Sequence, residues 1–210
     1  FSIHNYAGTG ATRNILTSSL KTSGEIALYD FNTTTLTDDK TGNYSGGTNN
    51  NVTRNTSDKK FGDSSAEFNG STADIDLEAG LDSSTMSVSF WIKIDSTITN
   101  SGVVIELENG YGVWFLASAA GKLGMQSSNG NSQHTLSNAQ LSASTWHHVA
   151  AVWNSGSRTF YINNATQSGG TVADYLTCDE NTLGSRRSGE FFDGRLDQVR
   201  FYNYALDATQ

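Results

Sequence analysis

Residues 86–94 read MSVSFWIKI. In an extended chain Met86, Val88, Phe90, Ile92 and Ile94 fall on one side, and Ser87, Ser89, Trp91 and Lys93 on the other. A period of two with large apolar side chains on one side marks a strand with one face buried against a partner sheet. β-branched and aromatic residues suit such a pleated surface.

The same signal recurs on both sides of this strand. Upstream, Glu25–Phe31 is a compact strand ending in YDFN, and Ser64–Phe68 alternates into a turn at Asn69-Gly70. Downstream, Val103–Leu107, Gly110–Ser118 and Lys122–Ser127 continue a meander. Trp146–Trp153 and Arg158–Asn163 form a hairpin around Asn154-Ser155-Gly156, and Leu183–Gly184 and Gly194–Tyr204 close the domain. Residues 32–60, rich in Thr, Asn, Asp, Gly and Lys, read as a long surface loop with room for one edge strand. No stretch sustains a helical period. The spacing therefore predicts an all-β domain over residues 25–210, preceded by a polar lead or linker at 1–24.

Composition agrees. The chain has 210 residues, 36% of them hydrophobic, enough to build one core, and no proline. Glycine and asparagine supply the positive-φ positions of tight hairpins. A net charge of −8 argues against nucleic acid, because binding a phosphate backbone needs clustered Lys and Arg. Cys178 is the single cysteine, so no intrachain disulfide forms. Without an apolar run of bilayer length, no membrane insertion is expected. A start at Phe1 with no signal-peptide pattern reads as a processed piece of a larger protein or assembly.

Four stretches together resemble the laminin-G-like jelly-roll family of the concanavalin A-like lectin/glucanase superfamily. They are GDSSAEFNGSTADIDL at 62–77, MSVSFWIKI at 86–94, TWHHVAAVWNSGSRTFYINN at 145–164 and FFDGRLDQVRFYNYAL at 191–206. The order of these motifs spans residues 25–207. The resemblance implies a jelly-roll β-sandwich of two packed antiparallel sheets, a structural calcium, and recognition of a glycan or glycosylated surface at an extracellular, cell-surface or virion location. The lead, Asn5–Thr12, is loosely similar to turns that precede such domains in bacteriophage appendage proteins. A spacer or decoration domain of such an appendage, or of an adhesin, is the alternative role.

Strand parity places Asp197 with Val199 and Phe201 on the core side of the last strand, where an ionised carboxylate is costly unless paired or metal-bound. The resemblance implies that Asp197 and Asp30 are calcium ligands, with backbone carbonyls near Gly46 and Gly70 completing an oxygen shell of the kind calcium takes. The other reading pairs Asp197 with Arg195 or Arg200, or makes it a turn cap. Asp38, Asp39 and Asn43 form a second oxygen cluster that reads as a solvated turn. For sugar recognition the candidates are Tyr111, Trp114, Trp153 and Tyr175 as stacking surfaces, with Asn129, Asn131, Arg186 and Arg187 as polar partners; core packing is the alternative for each Trp. Glu106 and Glu108 share one side of a strand, but the hydrolase pattern Glu-x-Asp-x-x-Glu is incomplete, which argues against glycoside hydrolase or lyase chemistry. His147 and His148 are adjacent, so they point to opposite faces and read as packing residues. Cys178 has no histidine at a spacing that suggests a nucleophile.

Overall fold

The computed structural model describes residues 24–77, 80–81, 85–95, 102–107, 116–117, 121–128, 132–154, 157–167, 170–171, 181–186 and 189–207. Its strands begin with β1 (Glu25–Tyr29), β2 (Thr48–Asn50), β3 (Thr53–Asn55), β4 (Ser65–Asn69), β5 (Asp74–Leu77) and β6 (Thr85–Ile94). There follow β7 (Gly102–Val103), β8 (Ile105–Leu107), β9 (Leu116–Ala117), β10 (Lys122–Ser128) and β11 (Ser132–Gln140). The last are β12 (His147–Asn154), β13 (Ser157–Ile162), β14 (Ala165–Thr166), β15 (Gly170–Thr171), β16 (Asn181–Leu183) and β17 (Asp193–Tyr202).

One sheet runs β14-β13-β12-β6-β17-β4-β3, with β1 also on β17 and β15 on β13. Opposite it lie the ladders β2-β5-β16-β8 and β11-β10-β9-β7, which meet where Val104 alone separates β7 from β8. Strand pairing is antiparallel throughout these ladders, and the fold is a jelly-roll sandwich. Between the layers lie Phe68, Val88, Phe90, Ile92, Val149, Phe160, Leu196, Val199 and Phe201 from the first sheet, with Ile75, Leu77, Ile105, Leu107 and Leu183 from the second.

The alternation of β6 therefore does what its sequence demands: the Met86–Ile94 side is buried, and Trp91 and Lys93 look outward, half-buried. The structure departs from the sequence reading in three ways. The polar segment 32–60 carries two short strands, β2 and β3, each edging a different sheet. β5 (DIDL) and β11 (SQHTLSNAQ) were not legible as strands, because the first is short and the second is almost wholly polar.

The third departure is a correction to the parity of β17. Leu196 faces the core opposite Ile92, and Asp197 pairs with Trp91 on the outer face. The ladder then slips between Asp197 and Arg200, with Gln198 at φ 52°, so Val199 and Phe201 return to the core side. A bulge adds one residue and inverts the alternation beyond it. Asp197 is thus on the outer face, not on the core side with Val199 and Phe201.

Candidate cation site and outer-face cleft

Asp197 sits at a seam. β4 pairs with β17 from Asp193 to Leu196, and β1 pairs with β17 from Val199 to Tyr202. Neither strand covers Asp197 and Gln198. The chain before β4 closes over the gap, and Lys60 and Phe61 each donate a backbone N–H to Asp197 Oδ2 at 2.9 Å. Asn32 fixes that segment from the other side: its Oδ1 accepts the Asp63 N–H at 2.5 Å and the Ser64 N–H at 3.3 Å. Gly62, at φ +66°, passes against the Asn32 amide where a Cβ would collide with it.

The second carboxylate oxygen, Asp197 Oδ1, is buried and has no hydrogen-bond partner, and the residue is 0% exposed. Burial is the main cause that lifts its pKa to about 7; the N–H groups of Phe61, Lys60 and Gln198 oppose the rise, and the charge of Asp30 adds to it. Asp30 follows β1, accepts the Asn32 N–H at 3.1 Å and lies 3.8 Å from Lys40 Nζ. An orphaned buried oxygen beside a second carboxylate is the arrangement a cation relieves. Among the described residues no three His, Cys, Asp or Glu side chains converge, so a cation here would draw on Asp197, Asp30 and backbone oxygens. That donor set suits calcium, which takes carboxylate and carbonyl oxygen at flexible geometry.

The ion-pair reading of Asp197 does not hold. Arg195 is engaged by Glu67, Asp58 and Asp95, and Arg200 by Glu25 at 2.8 Å. Nor is Gly70 brought there. Gly70 donates to the Phe192 carbonyl at 3.0 Å beside Asp193, which precedes Asp197 by about 13 Å along β17 at the rise of a strand. Gly46 precedes β2 on the other sheet, where Gly47 packs on Thr37 and the Asp76 carbonyl. The backbone that reaches Asp197 is that of Lys60 and Phe61.

The cluster at Asp38–Asn43 divides. Asp38 is exposed and holds Lys40 at 2.5 Å. Asp39, read from sequence as part of a solvated turn, is buried, because its carboxylate accepts backbone N–H groups from Leu28, Thr41, Asn43 and Tyr44 and the Thr41 hydroxyl. Burial pushes its pKa up, but these donors outweigh it and leave the carboxylate below its ordinary range. With its lone pairs occupied, it is a structural knot rather than a cation site.

Of the sugar-binding candidates, Trp153 is only 6% exposed and belongs to the core: Val149, Ala151 and Trp153 all point inward along β12. This corrects its assignment as a stacking surface. Arg186 is half-buried on the other sheet, 3.6 Å from Glu106 and 3.6 Å from Glu190. Glu106 is buried. Tyr111, Trp114, Tyr175, Asn129, Asn131, Arg187, Glu108 and Cys178 lie outside the described residues, as does all of the 1–24 lead except Gly24.

A different aromatic group occupies the outer face. Trp91 lies opposite His148 in the β6–β12 ladder, with ring centroids 5.2 Å apart at 50°. Phe61 stands edge-on to Trp91 at 5.7 Å and, at 42% exposure, is the one large apolar side chain exposed among the described residues. Lys60 Nζ hangs 4.0 Å over the Trp91 ring. Trp91, His148, Asn163 and Asn164 line a cleft of about 330 Å³. Asn163 is locked there: its Oδ1 accepts the His148 N–H at 2.9 Å, and its amide nitrogen lies 3.0 Å from His147 Nδ1. Burial depresses the pKa of both histidines, more simply for His148, where it is the sole cause. The sequence signal for this group was the outward parity of Trp91 in β6, together with an aromatic, Phe61, in an otherwise polar turn.

Comparison with solved structures places the fold. The chain superposes on domain 4 of AbnA, a GH43 extracellular arabinanase from Geobacillus stearothermophilus solved with arabinotriose, with TM-score 0.78 and 24% identity over 89% of this chain and 96% of that one. It also matches the binding domain of Paraclostridial Mosquitocidal Protein 1 at TM-score 0.68 and 15% identity, covering 89% of this chain and half (50%) of that one. A Trypanosoma rangeli sialidase in complex with sialic acid matches at TM-score 0.68 and 13% identity, over 90% of this chain but 32% of the enzyme. No curated protein sequence matches. Residues 68–210 match the laminin-G-like family profile described as the concanavalin A-like lectin/glucanases superfamily, and the chain belongs to that family.

Proposed function

We propose that this domain is a non-catalytic, calcium-stabilised carbohydrate- or surface-binding module of a larger extracellular or virion protein. The observation that carries the calcium half is the buried, unpartnered Oδ1 of Asp197 beside Asp30, at the seam where β1, β17 and the chain leading into β4 meet. Asp197 and Asp30 would hold the ion, which would neutralise both carboxylates and tie these three segments together. The binding half is supported by a fold shared with domain 4 of an arabinanase solved with arabinotriose and with a toxin's binding domain. An exposed aromatic cleft beside the seam adds to it. Glu106, one of the two carboxylates the sequence offers for hydrolysis, is buried and held by Arg186 at 3.6 Å.

The test is the melting temperature with calcium and with chelator, for the wild type and Asp197→Asn, followed by a glycan array on the calcium-loaded protein. A fall of several degrees on chelation, absent in the variant, is the expected result, since a ligand that binds only the folded state raises stability by mass action. An unchanged wild-type melt removes calcium from the reading. An empty array leaves the domain as a spacer or decoration.

A further inference from the structure

We propose that the Trp91 cleft is a saccharide subsite for a pyranose that carries a carboxylate, a uronate or sialate residue. The inference rests on the glycan-binding reading above and adds to it a place and a ligand class. A pyranose presents a flat C–H face, which packs on an aromatic ring, and an equatorial rim of hydroxyls, which need directional partners. The cleft offers both. Trp91 supplies the ring, with His148 tilted against it at 5.2 Å and the exposed Phe61 edge-on to it at 5.7 Å. At its far wall Asn163 and Asn164 form the turn after β13, both at positive φ, 50° and 65°. The Asn163 side chain braces the wall through His147 and the His148 backbone, while Asn164 is exposed and has its amide to offer. The volume, about 330 Å³, falls at the small end of ligand clefts, as a single sugar residue requires.

Charge decides the class of sugar. On this face Lys93 is paired with Asp58 at 2.7 Å, and Arg195 is held by Glu67 at 2.6 Å and by Asp95. Lys60 stands apart from these pairs: among the described residues no carboxylate lies within ion-pair distance, and its ammonium rests on the Trp91 ring instead. A cation on a π face keeps most of its capacity to donate, and its flexible stem lets it lift to meet an anion at the ring's edge. In a chain of net charge −8, an anionic ligand needs such a local positive point. The main chain of Lys60 is fixed by its hydrogen bond to Asp197, so the ammonium starts from a defined place.

Calorimetric titration of the calcium-loaded domain with oligosaccharides ending in glucuronate, in sialate or in neutral glucose tests this. The wild type should bind one of the two acidic sugars and bind the neutral one at least about tenfold more weakly, the size expected for one charge-assisted hydrogen bond. Lys60→Gln should erase that preference, Trp91→Ala should abolish binding, and Asn164→Gly, which keeps the positive φ, should weaken it several-fold. If Trp91→Ala loses its melting transition, the Lys60 and Asn164 variants decide. Equal binding of neutral and acidic sugars, or full affinity in Lys60→Gln and Asn164→Gly, overturns the assignment while leaving glycan binding in place elsewhere on the domain. A wild type that binds no sugar on a broad array overturns both.

Discussion

Trp91 and Asp197 lie directly opposite each other in the β6–β17 ladder, one forming the floor of the outer-face cleft and the other buried at the seam beside it. The same two residues, Lys60 and Phe61, donate main-chain N–H groups to Asp197 and lay their side chains on Trp91. Whatever fixes the Asp197 carboxylate therefore also fixes one wall of the cleft.

The first prediction concerns pH. Asp197 titrates near 3.8 in the unfolded chain and at about 7 in the metal-free folded domain. A carboxyl raised on folding contributes stability that is fully present below the lower value and lost as pH climbs through the upper one. In chelator, the melting temperature should fall between pH 4 and pH 7 by more in the wild type than in Asp197→Asn. His147 and His148 act in the opposite sense: with folded pKa values depressed below 6.5, they cost stability as pH falls. They are common to both proteins, so the difference between the two melting curves isolates Asp197. Added calcium should flatten that difference. Parallel curves in chelator would mean that Asp197 is not the strained group.

Gly62→Ala should destabilise the domain by about 1–2 kcal/mol, the scale for an alanine forced to positive φ. The added methyl would strike the Asn32 amide, whose Oδ1 holds the Asp63 and Ser64 N–H groups. Because this segment also carries Lys60 and Phe61 to Asp197, the variant should show a smaller calcium-dependent rise in melting temperature than the wild type. Urea unfolding with and without calcium measures both quantities. A full calcium response in Gly62→Ala would separate the segment from the ion.

Trp153→Ala should cost about 3–5 kcal/mol, as large aromatic truncations in a core do, whereas Trp153→Phe should be much milder. Its neighbours across the ladder are Met86 and Arg158, both buried. Glycan affinity should survive in Trp153→Phe. Equilibrium unfolding and one titration are sufficient, and a loss of affinity without a loss of stability would return Trp153 to the surface.

Much of this architecture was legible because β6, β12 and β13 obey a simple alternation, which sheet burial enforces. The Asp197 error came from one inserted residue. Apolar side chains at 196, 199 and 201 are spaced by three and then by two, and that single break is the bulge written into the sequence. A strict period of two, carried backward from Phe201, assigns Asp197 to the wrong face. Asp39 misled differently: an aspartate in a cluster of polar residues looks solvated, and only the fold shows four main-chain N–H groups converging on it. Trp91 was read correctly as outward-facing, but Phe61 and Asn164, distant from it in the chain, reach it only through sheet order and a turn.

The last prediction tests the electrostatics beside the cleft. Arg195 stands among Asp58, Glu67 and Asp95, half-buried groups on the outer face, and its charge offsets part of the rise that burial, Asp95 and Glu67 impose on Asp193. Arg195→Met would leave Asp58 with Lys93 and take from Glu67 and Asp95 their ion pair with Arg195. Breaking a fully buried pair costs several kcal/mol, and partial exposure here reduces that to about 2 kcal/mol. Asp58 supplies the sign with pH: burial raises its pKa, but Lys93 and Arg195 together hold it below the ordinary value, so its stabilising share is present at neutral pH and disappears as it protonates. The penalty of Arg195→Met should therefore be largest above pH 5, shrink toward pH 3, and shrink again in high salt as mutual repulsion is screened. Adding Asp95→Asn should recover part of the loss at neutral pH. Denaturant unfolding of the four combinations across that range reads the coupling directly, and a penalty independent of both pH and salt would assign Arg195 a packing role instead.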